Sequence, residues 1–491
     1  MARFGDARKS LRVTAARGTI INATFLIGLN LLSAVKGFTV AALLSVSDYG
    51  LFGFLGAVLG SVFWLKQVGI PDKYVQQDEG NDEVAFQKAF TLEVIANGLL
   101  LVVLLAAIPL LAALYDLDKI VLPGLVLATA IPAAVLQTPL WIFVRRMEFL
   151  KQRTLQAIVP VVSFVVTIAL AIAGFGYWSL IIGLVAGNWV AAVACLVASP
   201  YRLRFRFDRR TAQQYFSFSW PMFIAGVSIL AMAQVPILVA TKVLGLEAVG
   251  AIALASLIPV YARQASDLVT QTMYPGVCAV KDRPDLMLEA FTKSNRLGIL
   301  WGVPVGIGLV LFAPDLVHFV LGEKWEFATR LLQAMGLITA MNQFGFNWTA
   351  FYQALGRTRP IATAHVIQAV AICGITVPLM AAHGLDGFAV GMGIAIAIYL
   401  VVRTYYLTRL FPAFSMLRHS LRAVVPTLVA AAAVVAVRVP LTGERTVETA
   451  LVELFVYFVT VIAVTVLTER DLLREAIGYV RNRARPQPMP A

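Results

Sequence analysis

Apolar stretches long enough to cross a bilayer recur along this chain from Gly18 almost to its end, and that recurrence admits few folds. A helical span needs about 20 residues, because a rise of about 1.5 Å per residue must cover about 30 Å of hydrocarbon. Fourteen stretches meet the need: 18–45, 49–70, 89–114, 120–144, 155–175, 177–199, 217–243, 247–275, 297–321, 327–355, 361–382, 385–407, 421–439 and 447–467. The links at Phe175 and Gly384 are so short that twelve spans is the alternative count. Composition agrees, with 59% hydrophobic and 14% charged residues, against about 25% charged in a soluble domain. The expected fold is an all-α polytopic membrane protein.

Basic residues orient it. With the N-terminus inside, the inside segments and their helix-end flanks hold 31 of the 40 Lys and Arg, the outside loops with theirs six, and the span interiors three: Lys36, Lys66 and Arg263. That bias places both termini in the cytoplasm, so the net charge of +13 describes topology. The basic runs Arg145–Arg153 and Arg202–Arg210 sit beside helix ends, where anionic headgroups are the nearest partner; nucleic acid is not an expected one. The basic first seventeen residues lead into an apolar run far longer than the roughly 7–15 residues of a cleavable signal core, which reads as a retained first helix. The tail 481–491 has three arginines and three prolines and reads as disordered.

Several chemistries are missing. There is no G-x-x-x-x-G-K-[ST] loop and no G-x-S-x-G elbow. Cys195, Cys278 and Cys373 form no C-x-x-C pair, and His318, His365, His383 and His419 have no ligand spacing, so neither metal, disulfide framework nor other cofactor is expected. The loops leave no room for a soluble catalytic domain. A polysaccharide polymerase or ligase, which needs a large outside loop, fits poorly.

Asp48-Tyr49-Gly50-Leu51-Phe52 and Ala248-Val249-Gly250-Ala251-Ile252, offset by 200 residues, each open the span after a long helix. The match predicts two pseudo-symmetric six-helix lobes, 18–200 and 201–410, after an N-tail 1–17 and before a helix pair 411–468 and a C-tail 469–491. Parallel lobes around a central cavity are a transporter plan. Polar faces mark its lining. On the first span Asn22, Asn30, Ser33 and Lys36 fall within an arc of about 120°. On the eighth, Ser256, Arg263, Asp267 and Thr270 fall within about 60°, and on the tenth Thr339, Asn342, Thr349 and Gln353 within about 40°. A cation at the bilayer centre costs roughly 2.5–3.5 kcal/mol on insertion scales and calls for compensation. For Arg263 the compensation is either Asp267, four residues on, or substrate. Lys36 has no acid within four residues, and Lys66 reads as a snorkelling anchor near its helix end. A cation-coupled exporter would instead need a central carboxylate in the first lobe, where Glu93 lies toward an inside end.

The stretch Phe312-Ala-Pro-Asp-Leu-Val-His-Phe-Val-Leu-Gly-Glu-Lys-Trp325, followed by Ala328 and Leu331-Leu332, resembles the signature of bacterial polysaccharide transporters. These are the Wzx-type flippases of the multidrug/oligosaccharidyl-lipid/polysaccharide exporter superfamily. Asp48–Gly53, the Arg-Arg-Met-Glu-Phe core within Leu136–Gln152, Gly174–Leu180, Tyr201–Phe207 and Ala354–Arg357 agree in order and spacing. The resemblance implies a transporter without enzymatic activity that moves an undecaprenyl-diphosphate-linked oligosaccharide across the inner membrane for exopolysaccharide or lipopolysaccharide synthesis. It implies membrane lipids, and a polymerase with its co-polymerase, as partners. The related lipid II flippases carry basic residues on the first and eighth helices, and Lys36 and Arg263 occupy comparable positions here.

Overall fold

The computed structural model describes residues 2–474 apart from 67–68, 78, 413 and 439–444. The Lys66 side chain and the tail 481–491 lie outside what is described. Among the described residues every regular element is a helix, because a segment in hydrocarbon has only its own backbone to satisfy its amides and carbonyls. By contact the chain divides into two units, Met1–Ala253 and Leu254–Ala491.

The first unit holds α1 (Ala2–Leu43), α2 (Val46–Lys66), α3 (Ile70–Gln76), α4 (Asp82–Tyr115), α5 (Val121–Ala128), α6 (Ala130–Val135), α7 (Leu140–Arg145), α8 (Phe149–Ile172), α9 (Trp178–Ala198) and α10 (Arg209–Val243). Helix α11 (Leu246–Ala255) carries the chain into the second unit. There follow α12 (Leu257–Ala279), α13 (Pro284–Asp315), α14 (Thr329–Asn342), α15 (Trp348–Ala354), α16 (Arg359–Ala371), α17 (Val377–Leu410), α18 (Met416–Arg438) and α19 (Val447–Thr468). Side chains start several of these. Asn81 accepts from the amides of Glu83 and Val84 at 3.1 Å each, and Asp208 accepts from Thr211 N at 3.0 Å.

Each of the fourteen expected stretches overlies helix, and ten helical stretches among the described residues are long and apolar enough to cross a membrane. The difference has visible causes. The expected tenth span is broken in mid-course into α14 and α15, the second and seventh reach only the shorter apolar helices Val46–Ser61 and Met232–Val243 among the described residues, and the eleventh and twelfth run together as one stretch, Arg359–Leu410. Within α17 the backbone leaves helical geometry at His383 (φ −128°) and Gly384 (φ 62°, ψ −139°), where the link between those spans was expected. At the other short link, Gly174 and Gly176 take φ of 82° and 52° between α8 and α9.

The 200-residue offset reappears as a physical contact. A Cβ on Gly50 would lie 1.8 Å from the Leu246 carbonyl oxygen, and one on Gly250 would lie 2.7 Å from the Val46 carbonyl oxygen. Each would also be 3.1 Å from the other glycine's amide nitrogen. Residue 50 thus meets 246 as 250 meets 46, the reciprocal pattern of an isologous two-fold contact. Equivalent residues can touch each other only at the axis, so the Gly50–Gly250 crossing of α2 and α11 marks a local pseudo-two-fold. One turn on, a Cβ on Gly53 would lie 3.2 Å from Cβ of Ala253, again 200 residues away.

In the second unit the terminal pair α18 and α19 is fastened to α13 at three heights. Arg438 Nε donates to Glu453 Oε2 at 2.7 Å, and Arg445 bonds Asp315 and Glu453. Midway, Tyr457 donates its hydroxyl to the Pro304 carbonyl at 2.8 Å. At the far end Arg296 Nη1 lies 3.3 Å from Glu469 Oε2.

Candidate functional site

In the first unit α1 lies along α8, and two hydrogen bonds join them. Arg153 Nε donates to Asn22 Oδ1 at 2.7 Å, and Lys36 Nζ donates to Ser163 Oγ at 3.0 Å. Both helices ascend between these bonds, as the first and fifth spans must. Asn30 and Ser33 lie between them, half-buried. Ser163 is 1% exposed because α9 presents Gly183 and Gly187 to α8, and a Cβ on Gly187 would stand 2.7 Å from the Val159 carbonyl oxygen. Lys36 is half-buried and seven residues, about 10 Å, from the end of α1, nearer that end than the sequence reading placed it. Among the described residues no carboxylate lies within ion-pair distance of it; its bonded partner is a neutral hydroxyl.

In the second unit Ser256 sits half-buried at the junction of α11 and α12. Arg263, Asp267 and Thr270 follow within α12, with Arg263 and Asp267 exposed. Among the described residues no ion pair of 4.0 Å or less joins Arg263 to Asp267. The tenth span departs from its expected geometry. An arc of about 40° through Thr339, Asn342, Thr349 and Gln353 presumes unbroken helix, but α14 stops at Asn342, Gly345 turns left-handed (φ 72°), and α15 starts at Trp348. Thr339 is consequently buried against its own helix, donating to the Met335 carbonyl at 2.7 Å, while Gln353 is exposed and Asn342 half-buried.

The break leaves carbonyls without helical partners, and Arg403 of α17 supplies one. Its Nη1 donates to the carbonyls of Asn342 at 2.9 Å and Phe344 at 2.7 Å, and its guanidinium lies 4.6 Å from the centre of the Tyr399 ring. Around the same break Ser266 donates to Gln343 Oε1 at 2.9 Å, Asn295 Nδ2 to the Gln343 carbonyl at 3.1 Å, and Asn347 Nδ2 to Ser294 Oγ at 2.6 Å. His419 Nε2 is 3.2 Å from Asn295 Oδ1. The first unit has a smaller counterpart between α6 and α7, where Gln137 Nε2 donates to the Asn188 carbonyl at 3.2 Å.

Sequence reasoning missed Ser163, Arg153, Gln343 and Arg403. Arg403 was counted among the inside basic flanks, yet it is 5% exposed in the interior of α17. One signal was available: Asn342-Gln-Phe-Gly-Phe-Asn347 interrupts an apolar span with amides and a glycine, a mark of discontinuous membrane helices. Irregular backbone at such depth is tolerated where protein groups satisfy it, and Arg403 does so.

Comparison with known proteins places this geometry. A family model described as "Polysaccharide biosynthesis protein" matches residues 39–330, more than half of the chain. The succinoglycan biosynthesis transport protein ExoT of Rhizobium meliloti (strain 1021) is 25% identical over 251 residues, 49% of this chain and 50% of that protein. An uncharacterized membrane protein in the cps region of Klebsiella pneumoniae is 22% identical over 144 residues, 29% of this chain and 30% of that one. The matches thus span half or less of these relatives. The lipid II flippase MurJ in an inward closed conformation superposes with a TM-score of 0.70 at 12% identity, covering 92% of this chain and all of that one. An inward-facing multidrug resistance MATE family transporter of the MOP superfamily gives 0.62 at 14% identity over 81% of this chain and all of that one. The chain is a multi-pass membrane protein with the fold of MOP-superfamily transporters, and it belongs to the polysaccharide biosynthesis protein family.

Proposed function

We propose that this protein flips an undecaprenyl-diphosphate-linked oligosaccharide from the cytoplasmic to the periplasmic leaflet of the bacterial inner membrane by alternating access, with both termini in the cytoplasm. Family membership and the transporter fold support a carrier of polysaccharide precursors. The observation that carries the reading to a diphosphate is Lys36, a cation within a membrane helix whose bonded partner is the neutral Ser163. A hydrated sugar and a diphosphate cannot cross hydrocarbon unaided. A lysine whose charge no acid has cancelled offers about 4 kcal/mol to a phosphate at about 4 Å, for an effective dielectric near 20 and before desolvation. The amides of Asn22 and Asn30 and the hydroxyls of Ser33 and Ser256 suit sugar hydroxyls, and Arg263 is a second candidate cation. Leaflet-resolved labelling of the lipid-linked sugar in a deletion strain tests the reading. The glycolipid should accumulate on the cytoplasmic leaflet while its assembly continues. Arrest of assembly in membranes supplied with every sugar donor would make the protein a biosynthetic enzyme instead.

One observation favours a second reading, a cation-coupled exporter. Glu93 on α4 is 1% exposed, and Asn97 one turn on donates to its carbonyl at 2.8 Å. A buried carboxylate near the edge of the apolar belt is the group that coupling to protons or sodium would use here. Transport that disappears with Glu93→Gln and with collapse of the ion gradient, but persists in Lys36→Ala, would select it.

A further inference from the structure

The segment joining α9 to α10 is built rather than loose. From Tyr201 to Phe207 it runs without regular secondary structure beside the first turns of α4, and three α4 side chains one and two turns apart hold its backbone. Glu83 Oε1 accepts from Arg202 N at 3.3 Å, Gln87 Nε2 donates to the Arg202 carbonyl at 3.1 Å, and Thr91 Oγ1 accepts from Arg206 N at 2.7 Å. Both ends are tied. At the start Arg146 Nη2 donates to the Tyr201 hydroxyl at 2.8 Å with its guanidinium 5.1 Å from the ring centre. At the finish Asp208 caps α10 and lies 3.7 Å from Lys88.

Arg202, Arg204 and Arg206 are all exposed. Phe205 has its ring centre 5.8 Å from that of Phe90 on α4 and is still 75% exposed, and Phe207 is 62% exposed. Arg209 and Arg210 add two further exposed cations. Nearby acids face other partners: Asp208 faces Lys88 and Thr211, Glu79 faces Lys88, and Glu83 takes the Arg202 amide.

The height of this strap follows from α4. At 34 residues the helix is about 51 Å long, well beyond the roughly 30 Å hydrocarbon core. Its exposed apolar surface begins at Ile95 and continues through Leu99, Val102 and Val103, one turn after the last strap contact at Thr91. The strap therefore lies along the part of α4 that overhangs the apolar belt, at headgroup level.

We propose that Tyr201–Arg210 is a binding site for acidic phospholipid headgroups in the leaflet at that end of α4, with the arginines taking the phosphates and Phe205 and Phe207 entering the acyl boundary. Arginine forks match phosphate geometry, and exposed phenylalanines beside them belong at an apolar-polar boundary. The test places a photoactivatable benzoyl-phenylalanine at position 205 of the full chain in nanodiscs of equal phosphatidylcholine and phosphatidylglycerol. Captured lipid is identified by mass. Phosphatidylglycerol should exceed phosphatidylcholine by about fivefold, the effect of one basic residue near an anionic surface. The same group at Leu99, lower on α4, should capture both at their bulk ratio. The triple change R202Q, R204Q and R206Q should restore the bulk ratio at position 205 without abolishing capture, since the backbone bonds that hold the strap remain. Bulk-ratio capture at 205 in the unmodified strap, enrichment that survives the triple change, or no lipid captured at 205 would each overturn the assignment.

Discussion

Lys36 and Arg403 are both cations inside membrane helices, and their partners differ in kind. Arg403 gives two backbone carbonyls bonds from one nitrogen, Nη1, and lays its face on Tyr399, so it reads as a clamp on the α14–α15 break. Replacing it by methionine removes two charge-assisted bonds to buried carbonyls and should cost about 3 kcal/mol. Arg403→Lys should recover only part of this, because an ammonium lacks the flat face that lies over Tyr399; thermal melts of the purified variants decide. Lys36 gives one bond to a hydroxyl and keeps its charge available. Lys36→Ala should leave the melting temperature near that of the parent, since the cation removed is itself costly to hold in a membrane. It should nevertheless abolish flipping, and Lys36→Arg should retain a measurable part. A leaflet assay run beside the melts would remove Lys36 from the mechanism if Lys36→Ala transports at the parental rate.

At the scale of the helices, hydropathy located the segments because burial in lipid imposes one length and one composition on each. Where a helix stops inside the membrane is a different matter. The arc through Thr339, Asn342, Thr349 and Gln353 presumes a continuous helix, and the turn at Gly345 voids it. Lys36–Ser163 and Arg153–Asn22 were equally illegible, because each depends on which helix lies beside α1, information that periodicity does not contain. The offset of 200 residues was legible, and its structural meaning is the α2–α11 crossing. Gly250→Val would drive a branched side chain into the Val46 carbonyl, where no flexible group can yield. It should cost about 3 kcal/mol, seen as loss of folded protein after extraction, whereas Gly56→Val, at a glycine with no atom within 4 Å of its would-be Cβ, should be tolerated.

For the molecule as a whole, the terminal helix pair is part of the second unit's framework. Two acids, Glu453 at 1% and Asp315 at 7% exposure, are shared by Arg438 and Arg445, so removing one leaves two guanidinium groups to a single partner. Glu453→Gln should therefore destabilise by about 3 kcal/mol, and hydrogen exchange should rise first in α18 and α19. Uniform exchange across both units in that variant would mean that the pair is not separately anchored. None of this bonding is legible in the sequence, because it depends on which helices lie side by side.

The crossing at Gly50 and Gly250 also has a mechanical side. Its tightest approaches are backbone against backbone, a contact that is stiff in compression because peptide atoms have no rotamer into which to retreat. In tension it is weak, since pulling two such surfaces apart forfeits dispersion worth only about 0.1–0.2 kcal/mol per atom pair. A joint of this kind acts as a stop in one direction and a release in the other.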